Sequence, residues 1–343
     1  MQSHIPLTGL PRNELIEILK PLPRFRAVQI SKWLSRGILD FDMMTDIPQN
    51  LREELKKEHT PRSIKLENIH DEKTAEKFVF SLSDGLKIES VLLSDNKDRF
   101  TACLSTQAGC PVGCVFCKTG SLRLARNLSS AEITEQFIHL RARALKTQID
   151  NIVIMGMGEP LLNLSQLCRA ISIFTDREGI NYSRRRITIS TCGIYDGLYN
   201  IAKNGPYTKL ALSLCTADAA LRNKLMPVTA NNPLDKIKEA LVLYQKKSGF
   251  RITLETVLLG GINTRNEDAA SVAAFARGLD TVVNLIPWNP VEGLEFEGKP
   301  LREPEKKEIE NYTSMLESRG LKVTMRHRKG RKVMGACGQL GFN

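Results

Sequence analysis

Three cysteines close together constrain this chain more than any other feature. They read Cys110-Pro111-Val112-Gly113-Cys114-Val115-Phe116-Cys117, a C-x3-C-x2-C run just after an apolar stretch. Three thiolates in one tight loop can hold three irons of a [4Fe–4S] cube. The fourth iron is then left open for a ligand from outside the protein. Ferredoxin-type clusters use four cysteines and close the site. The alternatives are a zinc site or buried, inert thiols. Structural zinc usually takes four ligands in paired C-x2-C units, and no second pair or nearby histidine accompanies this run. The spacing therefore points to Cys110, Cys114 and Cys117 as cluster ligands.

Length fits one large α/β core plus a smaller domain, since 343 residues exceed the usual single-domain size. No run of eighteen apolar residues reads as a membrane span. The opening Met1-Gln2-Ser3-His4-Ile5-Pro6-Leu7 lacks the charged and apolar regions of a secretory signal. Eight cysteines in so long a chain do not form a disulfide scaffold. They suit a reducing, cytoplasmic setting, which an oxygen-sensitive cluster also needs. Forty-nine Lys and Arg against 38 acids leave a net charge of +11. That excess points to a polyanionic partner, because phosphate neutralisation dominates nucleic-acid affinity, and composition alone equally fits a generally basic soluble enzyme. The charge also clusters. Arg184, Arg185 and Arg186 are consecutive, and Arg326, His327, Arg328, Lys329, Arg331 and Lys332 crowd one short segment.

The chain divides near residue 95. Before it, apolar residues fall at helical spacing at Leu15, Ile18 and Leu19, at Ile30, Trp33 and Leu34, and at Leu51 and Leu55. Pro21, Pro23, Gly37 and Pro48 cut these into short helices. Two alternating runs, 77–82 and 86–91, flank Asp84-Gly85, which predicts a β-hairpin. After residue 98, strand and helix patterns alternate. The strands expected are 101–105, 152–156, 187–190, 209–214, 252–258 and 282–286. Helices are expected at 130–144, 164–174 and 266–277, with an N-cap at Ser129 or Ser130. The fold expected is α/β, a partial TIM-like (β/α)6 barrel built on a parallel sheet. Its segments are a helical domain at 1–70, a hairpin linker at 71–98, the barrel at 99–320, and a C-terminal strand and loop at 321–343.

In such a barrel the functional groups sit at the C-terminal ends of the strands. The candidates fall there. The cysteine loop follows the first strand and Gly156-Met157-Gly158-Glu159-Pro160 the second. Ser190 ends the third, Ser213-Leu214-Cys215 the fourth, and Trp288-Asn289-Pro290 follows the last. Glycines let backbone approach a ligand closely, and Glu159 with freed carbonyls suits the ammonium of a bound amino acid such as methionine. By itself the segment is also consistent with a strand-ending turn. Ser190 and Asn289 suit hydrogen bonds to a ribose or carboxylate.

The motifs, taken together, resemble those of the RlmN/Cfr radical-SAM RNA methyltransferases, where SAM is S-adenosylmethionine. They are Thr101-Ala102-Cys103-Leu104-Ser105-Thr106-Gln107-Ala108-Gly109-Cys110, the Cys114/Cys117 pair, Met155 to Pro160, Ile187 to Thr191, Asn284 to Pro290 and Ala336-Cys337-Gly338-Gln339-Leu340. The likeness runs from about Leu7 to Leu340. Cys103, seven residues before the cluster run, and the terminal Ala-Cys-Gly-Gln-Leu are its most specific parts, because radical-SAM proteins in general lack both.

What the resemblance implies answers a chemical need. An adenine ring carbon is not nucleophilic, so a plain methyl transfer from a sulfonium to it cannot work. The family uses two SAM molecules per turnover. The first methylates Cys337. The second, held on the open iron, yields a radical that takes a hydrogen from that S-methyl group, and the resulting carbon radical adds to adenine C2 or C8. Cys103 then resolves the sulfur-bound tether by pairing with Cys337 in a disulfide. Glu89 matches the family's proton acceptor. Gly158, Glu159, Ser190, Ser213, Leu214, Cys215 and Asn289 match its SAM contacts. From position alone, Cys103 reads as a strand-core residue, Cys337 as a small buried one and Glu89 as a solvent-facing acid.

Two departures stand out. Cys215 occupies a position where the family usually has histidine. The loop before Cys337 carries Arg331-Lys332 where an acid is usual. The implied substrates are a 23S rRNA adenosine and, for the RlmN branch, adenosine 37 of certain tRNAs. Either must leave its stack to reach a barrel-top site. The helical domain and the Arg184–Arg186 and Arg326–Lys332 clusters would hold RNA phosphates, and an electron donor such as flavodoxin would complete the partners. Pro160 favours the RlmN branch and C2. The alternatives are C8 methylation, a radical-SAM enzyme acting on a peptide or small molecule, and a noncatalytic RNA-binding protein with a structural cluster.

Overall fold

The computed structural model describes residues 4–95, 99–144, 149–326 and 329–341. Ten strands form one sheet: β1 (Ile64–Glu72), β2 (Ala75–Leu82), β3 (Lys87–Ser94), β4 (Phe100–Cys103), β5 (Ile149–Ile154), β6 (Ile187–Thr191), β7 (Lys209–Ser213), β8 (Ile252–Leu258), β9 (Thr281–Pro287) and β10 (Val323–Met325). Their spatial order is their chain order. From β4 to β10 every pairing is parallel, and from β1 to β4 every pairing is antiparallel. Among the described residues the two edge strands do not pair with each other, so the barrel is partial.

Local sequence explains the alternation. Parallel strands are covered on both faces and read as apolar runs. Ile189, Leu210, Leu212, Ile252, Leu254, Val283 and Leu285 are fully or almost fully buried. Helices return the chain between strands. Ser129 caps the helix Ser130–Arg143 reciprocally with Glu132, which settles the N-cap on Ser129. The helix Leu234–Ser248 stops at Gly249, whose φ of +69° an L side chain adopts only with strain.

The helices Arg12–Ile18, Arg24–Arg36 and Gln49–Glu58 each follow a proline and share a separate small core around Ile30, Phe41 and Met44. This helical unit docks on the helix Ser130–Arg143. The buried Glu135 carboxylate accepts bonds from Thr8 Oγ1, from Ser63 N at 2.8 Å and from Ile64 N at 2.9 Å. Gly9 lies so close to Ala131 that a Cβ there would stand 2.6 Å from its backbone nitrogen.

One element departs from expectation. Residues 64–72 form β1 rather than the end of the helical domain, so the hairpin is part of a three-stranded antiparallel arm. A β-bulge between Leu66 and Asn68 shifts the register. It breaks the period-two pattern that would otherwise mark the strand.

Candidate active site

The cysteine loop leaves β4 through Gln107–Ala108 and ends in the short helical turn Lys118–Ser121. Gly109 and Gly113 take positive φ, +82° and +71°, which turns the loop back on itself. At Gly109 a Cβ would meet the Arg123 carbonyl oxygen at 2.1 Å. Val115 N–H donates to Leu225 O at 3.1 Å, which ties the loop to the segment after β7.

The three thiols are half-buried and unbridged. Burial, and the neighbouring thiols, push Cys114 well above the ordinary thiol range. Burial raises Cys110 to about 12 and also raises Cys117. Grouped thiols that resist ionisation alone are the donor set a metal cluster would complete, since metal binding releases their protons. Among the described residues no three His, Cys, Asp or Glu side chains are grouped to hold a metal ion. Three cysteine thiols on one loop are the donor set that such a cluster would take.

Beside the loop lies an open cavity of about 820 Å³. Its lining includes Cys103, Cys117, Asn289, Arg326, Lys329 and Cys337. The C-terminal loop closes one side and is pinned at several points. Asn289 Nδ2 donates to Cys337 O at 3.1 Å, Lys118 N to Gly338 O at 2.7 Å, Thr119 Oγ1 to Leu340 O at 2.5 Å, and Gln339 Nε2 to Pro290 O at 3.0 Å. Asn289 Oδ1 is buried without a partner, an open acceptor. Burial and then the proximity of Cys337 push Cys103 up to about 12, so it rests as a thiol.

Glu89 is 1% exposed, not solvent-facing. Its carboxylate meets Lys77 Nζ at 3.0 Å and accepts from Gly341 N at 2.7 Å. It does not line the cavity but anchors the C-terminal loop. Glu159 is also buried, and desolvation raises its carboxyl. It accepts from Leu161 N at 3.0 Å and Cys192 N at 2.8 Å. Gly156 and Gly158 serve packing: a Cβ at Gly156 would stand 2.5 Å from Ser105 Oγ, and one at Gly158 2.6 Å from Gln107 Cβ. Ser190 Oγ and Ser213 Oγ face each other at 3.2 Å.

Leu214 and Cys215, which the resemblance matches to SAM contacts, have their backbone groups engaged within the protein. Both N–H groups donate to Glu255 O. The Leu214 carbonyl accepts from Arg222, the Cys215 carbonyl from Asn263 at 3.0 Å, and the Cys215 thiol is buried against Val257 O. These groups are already committed within the protein.

The basic clusters separate. Arg184, Arg185 and Arg186 are exposed and directly precede β6, so they stand at the N-terminal rim, opposite the cysteine loop. They therefore lie apart from the cavity that the cysteine loop borders. Arg326 lines the cavity rather than the outer surface. It is half-buried in the cavity, with Nη1 3.6 Å from Met155 Sδ, and the Cys337, Glu255 and Cys103 groups favour its charge. Lys329 lines the same cavity and donates to Ser94 O at 2.8 Å. Arg331 pairs with Glu303, and Lys332 is exposed. Arg328 lies outside the described residues.

Two buried charges escape sequence reasoning. Lys77 sits in a strand whose alternation gives no hint of its ion pair. Arg222, in the seven-residue helix Ala219–Leu225, is 1% exposed, although an arginine on so short a helix reads as solvated.

Comparison with known proteins agrees with this geometry. The Radical SAM superfamily model matches residues 104–273, and the model for the ribosomal RNA large subunit methyltransferase N-terminal domain matches residues 5–60. A probable dual-specificity RNA methyltransferase RlmN of Treponema pallidum (strain Nichols) is 43% identical over 98% of this chain and 97% of its own length. The Thermus thermophilus protein of the same description is 38% identical over 97% of this chain and 93% of its own. The crystal structure of a radical SAM methyltransferase from Sphaerobacter thermophilus superposes with a TM-score of 0.92 at 36% identity, covering 98% of this chain and 99% of that one. A radical-SAM core, an N-terminal domain of the rRNA methyltransferase type and full-length likeness to these relatives establish that this chain belongs to the RlmN family of radical-SAM RNA methyltransferases.

Proposed function

We propose that this enzyme methylates C2 of an adenosine in 23S rRNA, and of adenosine 37 in tRNA, by passing the methyl group through Cys337. The observation that carries the reading is the cavity that exposes Cys103 and Cys337 together beside the cluster loop. When bound, the [4Fe–4S] cluster and SAM supply the hydrogen-abstracting radical that the chemistry needs. The dual specificity is that of the relatives' description.

Cys110, Cys114 and Cys117 would hold the cluster. Asn289 Oδ1 offers an open acceptor for SAM, and the paired Ser190 and Ser213 hydroxyls would be further contacts. Cys337 would carry a methyl group supplied by SAM and would give up a hydrogen from it. Its methylene then bonds to the ring carbon. Arg326 holds positive charge beside both sulfurs throughout. Cys103 would attack the Cys337 sulfur as the carbon–sulfur bond breaks, and the freed carbon would take a proton to become the methyl group. The unpaired electron left by radical addition would pass to a one-electron acceptor such as the bound cluster. The Cys103–Cys337 disulfide left in the protein would be reduced by an external thiol. Glu89 would take the ring proton, the role that the family resemblance gives it. Flavodoxin or a donor like it supplies the electron.

Nucleoside mass spectrometry of rRNA and tRNA from cells with and without the gene tests this. Loss of 2-methyladenosine from both RNAs is expected. Loss of 8-methyladenosine instead, or no change in either RNA, would contradict it.

A further inference from the structure

We infer that Arg222 is a built-in counter-charge to the iron–sulfur cluster, a positioning residue that favours the cluster's one-electron reduction. The inference rests on the reading of Cys110, Cys114 and Cys117 as cluster ligands.

Arg222 is 1% exposed. Its guanidinium donates to three backbone carbonyls at the C-terminal ends of neighbouring strands. They are Leu214 O, Ser213 O at 3.1 Å and Cys192 O at 2.5 Å. Its Nε is buried with no partner. All these acceptors are neutral, and among the described residues Arg222 makes no salt bridge. Glu159 accepts the N–H of the same residue, Cys192, at 2.8 Å, and no hydrogen bond or ion pair joins it to the guanidinium among the described residues. A cation buried among neutral groups costs several kcal/mol unless a negative charge lies nearby.

The negative charge available is that of the cysteine loop. The helix Ala219–Leu225 that carries Arg222 ends at Leu225, whose carbonyl accepts the N–H of Val115, the residue next to Cys114. Two residues on, Pro227 lies 3.8 Å from the Cβ position of Gly113. Burial alone lowers Arg222's hold on its proton, and the thiolate forms of Cys192, Cys215 and Cys114 oppose that. Cys192 and Cys215 are buried thiols that burial keeps protonated. Cys114 is the one that would ionise, on iron. Reduction by one electron adds a negative charge to a cluster already negative from its thiolates. A fixed cation beside it stabilises the reduced form more than the oxidised one, because net charge and surroundings set cluster potentials.

The test is an EPR-monitored redox titration of anaerobically reconstituted full-length protein, with dithionite as reductant, on the wild type, Arg222→Gln and Arg222→Lys. Iron content is measured alongside. At a fixed potential the ratio of reduced to oxidised cluster should fall about tenfold in Arg222→Gln, roughly what one charge contributes through protein at a modest effective dielectric. That ratio equals a midpoint about 59 mV more negative for a one-electron couple. Arg222→Lys keeps the charge while losing the fork of carbonyl bonds, so its ratio should stay within about threefold of wild type. If Arg222→Gln does not accumulate, Arg222→Met takes its place with the same expected shift. Full iron content with an unshifted couple in the neutral variant would overturn the inference. So would equal shifts in the lysine and neutral variants, which would mark Arg222 as a brace for the strand ends. Wild-type protein that takes up no iron would instead refute the cluster reading itself, and the inference with it.

Discussion

The two ends of the parallel strands carry equally conspicuous sequence motifs and do unequal work. At the C-terminal rim stand the cysteine loop, Asn289, Arg326 directly after β10, and the C-terminal loop with Cys337. At the N-terminal rim, directly before β6, stand Arg184, Arg185 and Arg186, exposed and away from the cavity. In the sequence both basic clusters look like RNA grips. The difference lies in which end of a strand each one flanks. A strand of five residues displaces one rim from the other by about 17 Å, well beyond the reach of a side chain. Charge density is a similar signal at both rims, and chain direction decides which cluster borders the cavity.

Four experiments sharpen or break that contrast. The largest effect belongs to the cysteine loop. Cys114→Ala should abolish the brown chromophore and SAM cleavage together, and retained iron with normal cleavage would refute the ligand assignment. Next is the cavity cation. Arg326→Met should lower turnover by roughly tenfold or more, the rate effect of about 1.4 kcal/mol, while iron content stays normal. Unchanged turnover would remove Arg326 from the chemistry. The smallest effects concern binding. Lys329→Ala should reduce the salt slope of RNA affinity by about one unit. The triple substitution of Arg184, Arg185 and Arg186 by Ser should leave both slope and turnover within about twofold. If the triple variant loses binding and Lys329→Ala does not, the contrast between the rims is wrong.

Much of the fold was legible because parallel strands are short apolar runs at regular spacing. The expected strand 252–258 and helix 164–174 match the observed bounds, and the other barrel strands differ by a few residues at an end. β1 was not legible, because its bulge between Leu66 and Asn68 shifts the alternation that sequence reasoning depends on. The cysteines of the site were legible through spacing and resemblance. The roles of neighbours were less so. Glu89 looked solvent-facing but is buried against Lys77, a pairing set by cross-strand register that no local pattern records. Leu214 and Cys215 flank the expected site, yet their backbone groups are taken by β8, Arg222 and Asn263, contacts that exist only once the strands are assembled. Arg222 itself gave no signal, since burial of an arginine depends on what folds over it.

The proposed reaction divides its labour between two cysteines that share one cavity. Each of Cys103→Ala and Cys337→Ala, incubated with RNA and SAM under reducing conditions, can be run on a denaturing gel with labelled RNA. The account predicts that Cys103→Ala accumulates protein covalently joined to RNA, because the tether forms and nothing releases it. Cys337→Ala should give no adduct, because it has no sulfur to carry the methyl group. Normal turnover by Cys103→Ala, or the same adduct from both variants, would contradict it.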